Sequence, residues 1–491
     1  MAIFKRYLLE LTVFIVGAVV MIFELVGSRV LGPYLGTSIF VWTSLIGVIL
    51  GSLSLGYFMG GRMADKKASL ERLSLIILLS ALMMAFIAIF KDVIMLAVIK
   101  LFKQEEIASF MASLILFAPV SFIFGIVSPY AVRLKLNNLN TSGATVGDLY
   151  AISTVGSISG TFLAGFFLIS HFGVTRVLFF LAFTLLILSF LLAYSFFFKT
   201  KITFLLIIFL LSFTQEKFFP QKIIDLDTQY NRIWIYETKY KGKDILALAT
   251  DPYGIQSAMA LEDDDLVFDY TKYYRLVKHF NPGFKKGLML GGAAYSYPKD
   301  YLRQFPEAVM DVVEIDPKVT ELAKKYFRLK DDPRLNIYHE DGRFFLNRTD
   351  NKYDVIFGDA FNSFSAIPFQ LTTEEAIKRE YEILNDKGIV ILNLISAIEG
   401  EKGEFLRAEY KTYRQFFSQV YLFPVTHPDE PDKVQNIILV ALKTKIEPEL
   451  KSNDPDLKIY LQHLWTGAID EDLPILTDDF VPVERYKRNM L

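Results

Sequence analysis

The chain has 491 residues, enough for two or three domains, and contains no cysteine. It is 52% apolar with a mean hydropathy of +0.33, yet its charge is unevenly divided: residues 1–214 sum to +7 and residues 215–491 to −9, against a total of −2. That split excludes a single soluble globule and a disordered chain, and the acidic second half argues against a nucleic-acid partner, which selects for a basic face. The missing thiols exclude disulfides, Cys nucleophiles and Cys-bound metals. Five scattered histidines (171, 279, 339, 427 and 463) give no metal-ligand spacing, so no metal is expected.

Apolar runs recur at 8–27, 39–61, 72–90, 108–131, 148–170, 176–198 and 202–214. Six of them approach the ~20 residues that cross a bilayer. The seventh, Ile202–Phe213, is short and either crosses with help or lies at the interface; the interfacial reading is preferred. The first run is not a cleaved signal, because Glu24 and Arg29 follow it without a small-residue cleavage site. Lys5/Arg6, Arg62–Arg72, Arg133/Lys135 and Lys199/Lys201 all fall on one side of a six-crossing arrangement, which places the N-terminus inside. Residues 1–214 therefore read as a multi-pass α-helical membrane domain with six or seven transmembrane helices. The bilayer is its partner and the cell inner membrane its location. A nucleotide-using second half favours the cytoplasm. Small residues four apart (Gly56/Gly60, Ser153/Ser157, Gly156/Gly160) fit close helix packing. Glu24 is an intramembrane carboxylate, which either pairs with Arg29 or a nearby donor or has a function.

Residues 215–266 read as a linker and a small β-subdomain, with strands at 232–237, 245–250 and 255–261. From 267 to 491 strand and helix alternate. Strands are expected at 287–290, 309–315, 335–339, 353–357 and 388–394, and helices at 317–327, 372–384 and 457–464. An antiparallel strand is expected at 436–442. Such alternation predicts an α/β Rossmann-like unit of the class I methyltransferase type, with ligand-facing residues at the carboxyl ends of the strands. Those residues are Gly291/Gly292, Glu314, Asp341 and Asp359. A glycine turn followed by three consecutive strand-end acids points to a nucleoside site, with Glu314 where an acid holds ribose hydroxyls.

Several stretches carry a family likeness. In the membrane half they are Val41-Trp-Thr-Ser-Leu-Ile-Gly, Leu55–Asp65 and Ser153–Gly165. In the second half they are Tyr230-Asn-Arg-Ile, Gly254-Ile-Gln-Ser, Leu290-Gly-Gly-Ala-Ala, Val313-Glu-Ile-Asp-Pro317, Glu340-Asp-Gly, Gly358-Asp-Ala-Phe and Leu476–Glu484. The chain resembles the spermidine synthase (polyamine aminopropyltransferase) family in its membrane-fused bacterial branch. The resemblance implies transfer of an aminopropyl-type group from a sulfonium nucleoside to an amine, releasing methylthioadenosine. Decarboxylated S-adenosylmethionine or S-adenosylmethionine is then a co-substrate, and no cofactor is permanently bound. The acceptor is a polyamine or an amino acid-like amine, and a homodimer is an open assembly.

By the same resemblance Asp359 is catalytic, Glu314 holds the ribose, Asp341 meets the adenine and Gln256 contacts substrate. Tyr230 and Asn231 lie on the substrate side, with Asn231 where the family usually has Gln. The departures are Ala294 in place of an acid, Asn362 in place of an Asp, and Tyr273-Tyr274-Arg275 in place of Tyr-His-Glu. Arg275 is accordingly expected to take a carboxylate of the donor or acceptor in a two-pronged pair, or else to pair with Asp269. Leu476-Thr-Asp-Asp479 is expected to line the acceptor side through Asp479, or to serve as a helix cap or turn. Two other readings stay open: a methyltransferase or lyase on the same fold, and a transporter or sensor that binds nucleoside without turnover.

Overall fold

The computed structural model describes residues 7–136, 138–204, 222–252, 254–360 and 367–490. The chain forms two compact units: Met1–Pro220 with Leu226–Arg232, and Gln221–Asp225 with Ile233–Leu491.

The first unit is helical: α1 (Leu8–Leu35), α2 (Ile39–Lys66), α3 (Leu70–Leu101), α4 (Glu105–Leu116), α5 (Ala118–Lys135), α6 (Ser142–Leu163) and α7 (Val174–Leu192). A π turn, Ala164–Leu168, prolongs α6. Among the described residues five helices are long and apolar enough to cross a membrane, or six when α4 and α5, bent by 50°, are counted as one span. The 108–131 run is thus broken. The break falls at Phe117, just before a helix with proline in its first turn, where the missing N–H interrupts the ladder. Of the 202–214 run, residues 205–214 lie outside the described residues.

Glycine spacing is explained by packing. A Cβ at Gly56 or Gly60 would strike the backbone of α5, and one at Gly156 or Gly160 the backbone of α1. Arg29 does not serve Glu24: its guanidinium donates to the carbonyl of Tyr230 and, at 2.6 Å, to that of Gln229.

The second unit opens with a four-stranded sheet in the order β1 (Lys222–Asp227), β2 (Arg232–Tyr240), β3 (Lys243–Ala249), β4 (Ser257–Ala260). After a short helix α8 (Asp269–Tyr273) the chain alternates: β5 (Lys286–Leu290), α9 (Ser296–Gln304), β6 (Val309–Val313), α10 (Pro317–Tyr326), β7 (Leu335–Tyr338), α11 (Gly342–Arg348), β8 (Tyr353–Gly358), α12 (Glu374–Ile383) and β9 (Leu384–Ser396). Then come α13 (Glu404–Tyr413), β10 (Gln419–Pro424) and β11 (Gln435–Leu442). The sheet order is β10-β11-β9-β8-β5-β6-β7, parallel from β9 to β7, with β11 and β10 antiparallel at one edge. Consecutive strand residues serve opposite faces: Met289 joins one apolar cluster while Leu288 and Leu290 join the other. A sheet buried on both faces needs near-continuous apolar strands, as in Ile389-Val-Ile-Leu392.

Candidate active site

Because β8, β5, β6 and β7 are adjacent and parallel, the residues just past their carboxyl ends form one row. The row holds Asp359, Gly291, Glu314 and Asp341. β5 and β8 are so close that a Cβ on Gly291 would strike the Asp359 carbonyl, and Gly291 sits at φ +97°, a conformation glycine tolerates best. Asp359 N–H in turn donates to Leu290 C=O at 3.0 Å. The turn continues through Ala293 and Tyr295, also at positive φ, and closes on the Tyr295 ring, whose hydroxyl meets Thr320 at 2.7 Å. Ala294 is fully buried inside this turn.

Glu314 holds the turn from β6. Its Oε2 accepts from Gly292 N–H at 2.9 Å and Ala293 N–H at 3.0 Å, and its Oε1 accepts from Asp316 N–H at 3.0 Å. Burial pushes its carboxyl up, while the three N–H donors pull the other way. Asp341 caps α11, accepting from Phe344 N–H at 2.9 Å.

Asp359 has the most unusual surroundings. Asn393, on β9, donates its Nδ2 to Oδ1 at 3.1 Å, and Tyr270, on α8, donates its hydroxyl to Oδ2 at 3.3 Å. The Tyr274 hydroxyl is buried close by, outside ordinary hydrogen-bond geometry yet near enough for its O–H to favour the carboxylate. No ion pair within the described residues reaches Asp359. Burial pushes its carboxyl up to about 6, against the pull of the Asn393, Tyr274 and Tyr270 donors. Both phenols are held well above their usual range, first by burial and then by the Asp359 charge, so they stay protonated donors. A lone carboxylate ringed by neutral donors, titrating near neutral pH, suits a base for an amine and an anchor for the cation that forms.

The other expected residues have the following surroundings. Arg275 is not open to a substrate carboxylate: its Nε and Nη2 bind Asp300 at 3.0 and 2.8 Å, and Asp300 is almost fully buried. Asp269, its alternative partner, pairs with Lys241 and Lys272. Asp479 is exposed; its neighbour Asp478 holds Arg343 through both oxygens and accepts from Thr373 at 2.7 Å. Gln256 stands before β4 with its N–H on Leu248 C=O. Tyr230 and Asn231 belong to the first unit, in a turn closed by Thr228. Asn362 lies outside the described residues. Tyr270, Tyr274 and Asn393 were not foreseen as site residues, although a lone amide in the apolar run Ile389–Ile395 was a readable signal.

Sheet order and strand-end acids define a Rossmann-like unit of the methyltransferase type. Residues 274–450 match the spermine/spermidine synthase domain. The chain is 27% identical over 244 residues to a polyamine aminopropyltransferase of Vibrio vulnificus, covering 46% of this chain and 78% of that protein. It is 30% identical over 200 residues to one of Streptococcus pneumoniae, covering 38% and 68%. Among solved structures, a probable spermidine synthase from Corynebacterium glutamicum aligns with a TM-score of 0.42 at 20% identity, over 50% of this chain and 88% of that one. The chain belongs to the spermidine synthase family and is a transferase of that type.

Proposed function

We propose that the protein transfers an aminopropyl group from decarboxylated S-adenosylmethionine to an amine acceptor, at the inner membrane. The observation that carries this reading is Asp359: a half-buried carboxylate at a strand end, without an ion pair among the described residues, one strand from the glycine turn and two from Glu314. The acceptor nitrogen attacks the propyl methylene carbon bound to the sulfonium. The C–N bond forms as the C–S bond breaks, and the pair returns to sulfur, leaving neutral methylthioadenosine. The nitrogen becomes cationic and its surplus proton passes to Asp359. The sulfonium is already a good leaving group, so most of the acceleration comes from aligning nitrogen, carbon and sulfur and keeping the amine neutral.

In this reading Glu314 takes the ribose hydroxyls, Asp341 the adenine amino group, and the Gly291–Gly292 turn admits the nucleoside to the backbone. Tyr270 and Tyr274 orient Asp359 beside the amine. Gln256, Tyr230 and Asn231 remain proposed substrate contacts, on the strength of the family positions alone. With Arg275 held by Asp300, the structure offers no reason to favour the carboxylated donor.

The test incubates purified full-length protein with either donor and a panel of amines. Methylthioadenosine formed only with an amine present supports the reading; S-adenosylhomocysteine would indicate methyl transfer, and no product with any amine would refute it.

A further inference from the structure

We propose that Asn436 is a positioning residue for Asp359, acting through Asn393. This rests on the reading of Asp359 as base. Asn436, on β11, is one step diagonal from Asn393 on β9, since the register pairs Asn436 with Ile395 and Ile438 with Asn393. Its Nδ2 donates to Asn393 Oδ1 at 3.0 Å, and Asn393 Nδ2 donates to Asp359 Oδ1 at 3.1 Å. A side-chain amide has one donating and one accepting end. By occupying the accepting end, Asn436 fixes the amide so that Asp359 always receives a donor at Oδ1. The proton taken from the amine is thereby directed to Oδ2, the oxygen beside Tyr270.

Asn436→Asp reverses the relay. A carboxylate there accepts, so Asn393 turns its Nδ2 to it and presents its oxygen to Asp359, which is then comfortable only when protonated. The acidic limb of the kcat/KM profile should move up by one pH unit or more, with methylthioadenosine affinity within twofold of wild type. The pH dependence of unfolding of the full-length protein should move in step, and it reports the Asp359 proton whether or not turnover is found. Asn393→Leu, alone and combined with Asn436→Asp, separates the loss of the donor and the new charge from the amide that turns. The proposal is overturned if Asn436→Asp leaves both profiles in place, or if adding Asn436→Asp to Asn393→Leu shifts them as far as adding it to wild type. Methylthioadenosine release by wild type with unmoved profiles would sink the relay and leave the proposed function standing.

Discussion

Replacing Asp359 by Asn should cut activity and raise stability together, because the same burial that tunes the base also penalises its charge. Asn keeps the shape and can still accept from Asn393. It can neither take a proton from the amine nor neutralise the cation formed, so turnover at pH 8 should fall by roughly 10²-fold or more. Stability moves the other way. An aspartate titrates near ~3.9 in an unfolded chain and at about 6 here. The folded state holds the proton more tightly, so the group's contribution is fully present below about pH 4 and is lost as pH rises through about 6. Two units correspond to a ceiling of about 3 kcal/mol, lowered because the carboxylate is partly open to solvent. Asp359→Asn should therefore exceed wild type by about 1–2 kcal/mol at pH 8 and match it near pH 4. Methylthioadenosine release across pH 5–9 and urea unfolding of the full-length protein measure the two effects. A variant within threefold of wild-type kcat at pH 8, or less stable than wild type there, would refute the reasoning.

Wild-type kcat/KM should rise with pH through an apparent midpoint of about 6, because in the proposed reaction the ionised form of Asp359 takes the proton; a profile already flat at pH 5 would contradict this. Glu314→Ala should weaken donor and methylthioadenosine binding together, since both carry the ribose and the turn N–H groups of Gly292 and Ala293 lose their acceptor; unchanged affinities by calorimetry would remove the role. Gly291→Ala forces a Cβ against the Asp359 carbonyl at φ +97° and should depress kcat more than nucleoside affinity; wild-type kinetics would show the approach to be slack. Asp478→Ala releases Arg343 and Thr373 and should lower stability by about 1–3 kcal/mol in urea unfolding, whereas Asp479→Ala, at an exposed position, should alter the acceptor KM more than the donor KM; equal effects on both would favour a structural role.

Much of the catalytic unit was legible because a parallel strand announces itself as a short apolar run, and the residue after it must face the site. Glu314, Asp341 and Asp359 follow from that rule without any contact being known. What escaped was side-chain direction around short irregular elements. Tyr274 and Arg275 are neighbours, yet one hydroxyl is buried near Asp359 and the other side chain closes on Asp300; the passage from α8 into a 3₁₀ turn sets which goes where. Asp478 and Asp479 differ likewise by one step of a turn. β10 went unread because its apolar run, Val420–Phe423, is only four residues long and ends at Pro424, which weakens a strand signal. In the helical first half hydropathy located the helices but not the break at Phe117, which depends on local proline chemistry.

The row at the strand ends behaves as one mechanical piece. Glu314 clamps Gly292 and Ala293, Gly291 abuts the Asp359 carbonyl, and Asp359 N–H is held by Leu290. The acid expected at the ribose and the base expected at the amine are thus joined through four consecutive backbone positions rather than a flexible loop. Rigid coupling of that kind matters for a displacement whose main demand is collinearity, because a shift of about 1 Å between nucleophile and leaving group can cost 10²-fold in rate. It also explains why strained positive-φ positions at Ala293 and Tyr295 persist in a turn where glycine would be easier: the buried Ala294 and the Tyr295 ring, anchored on Thr320, fill the space beneath the turn and stop it from relaxing.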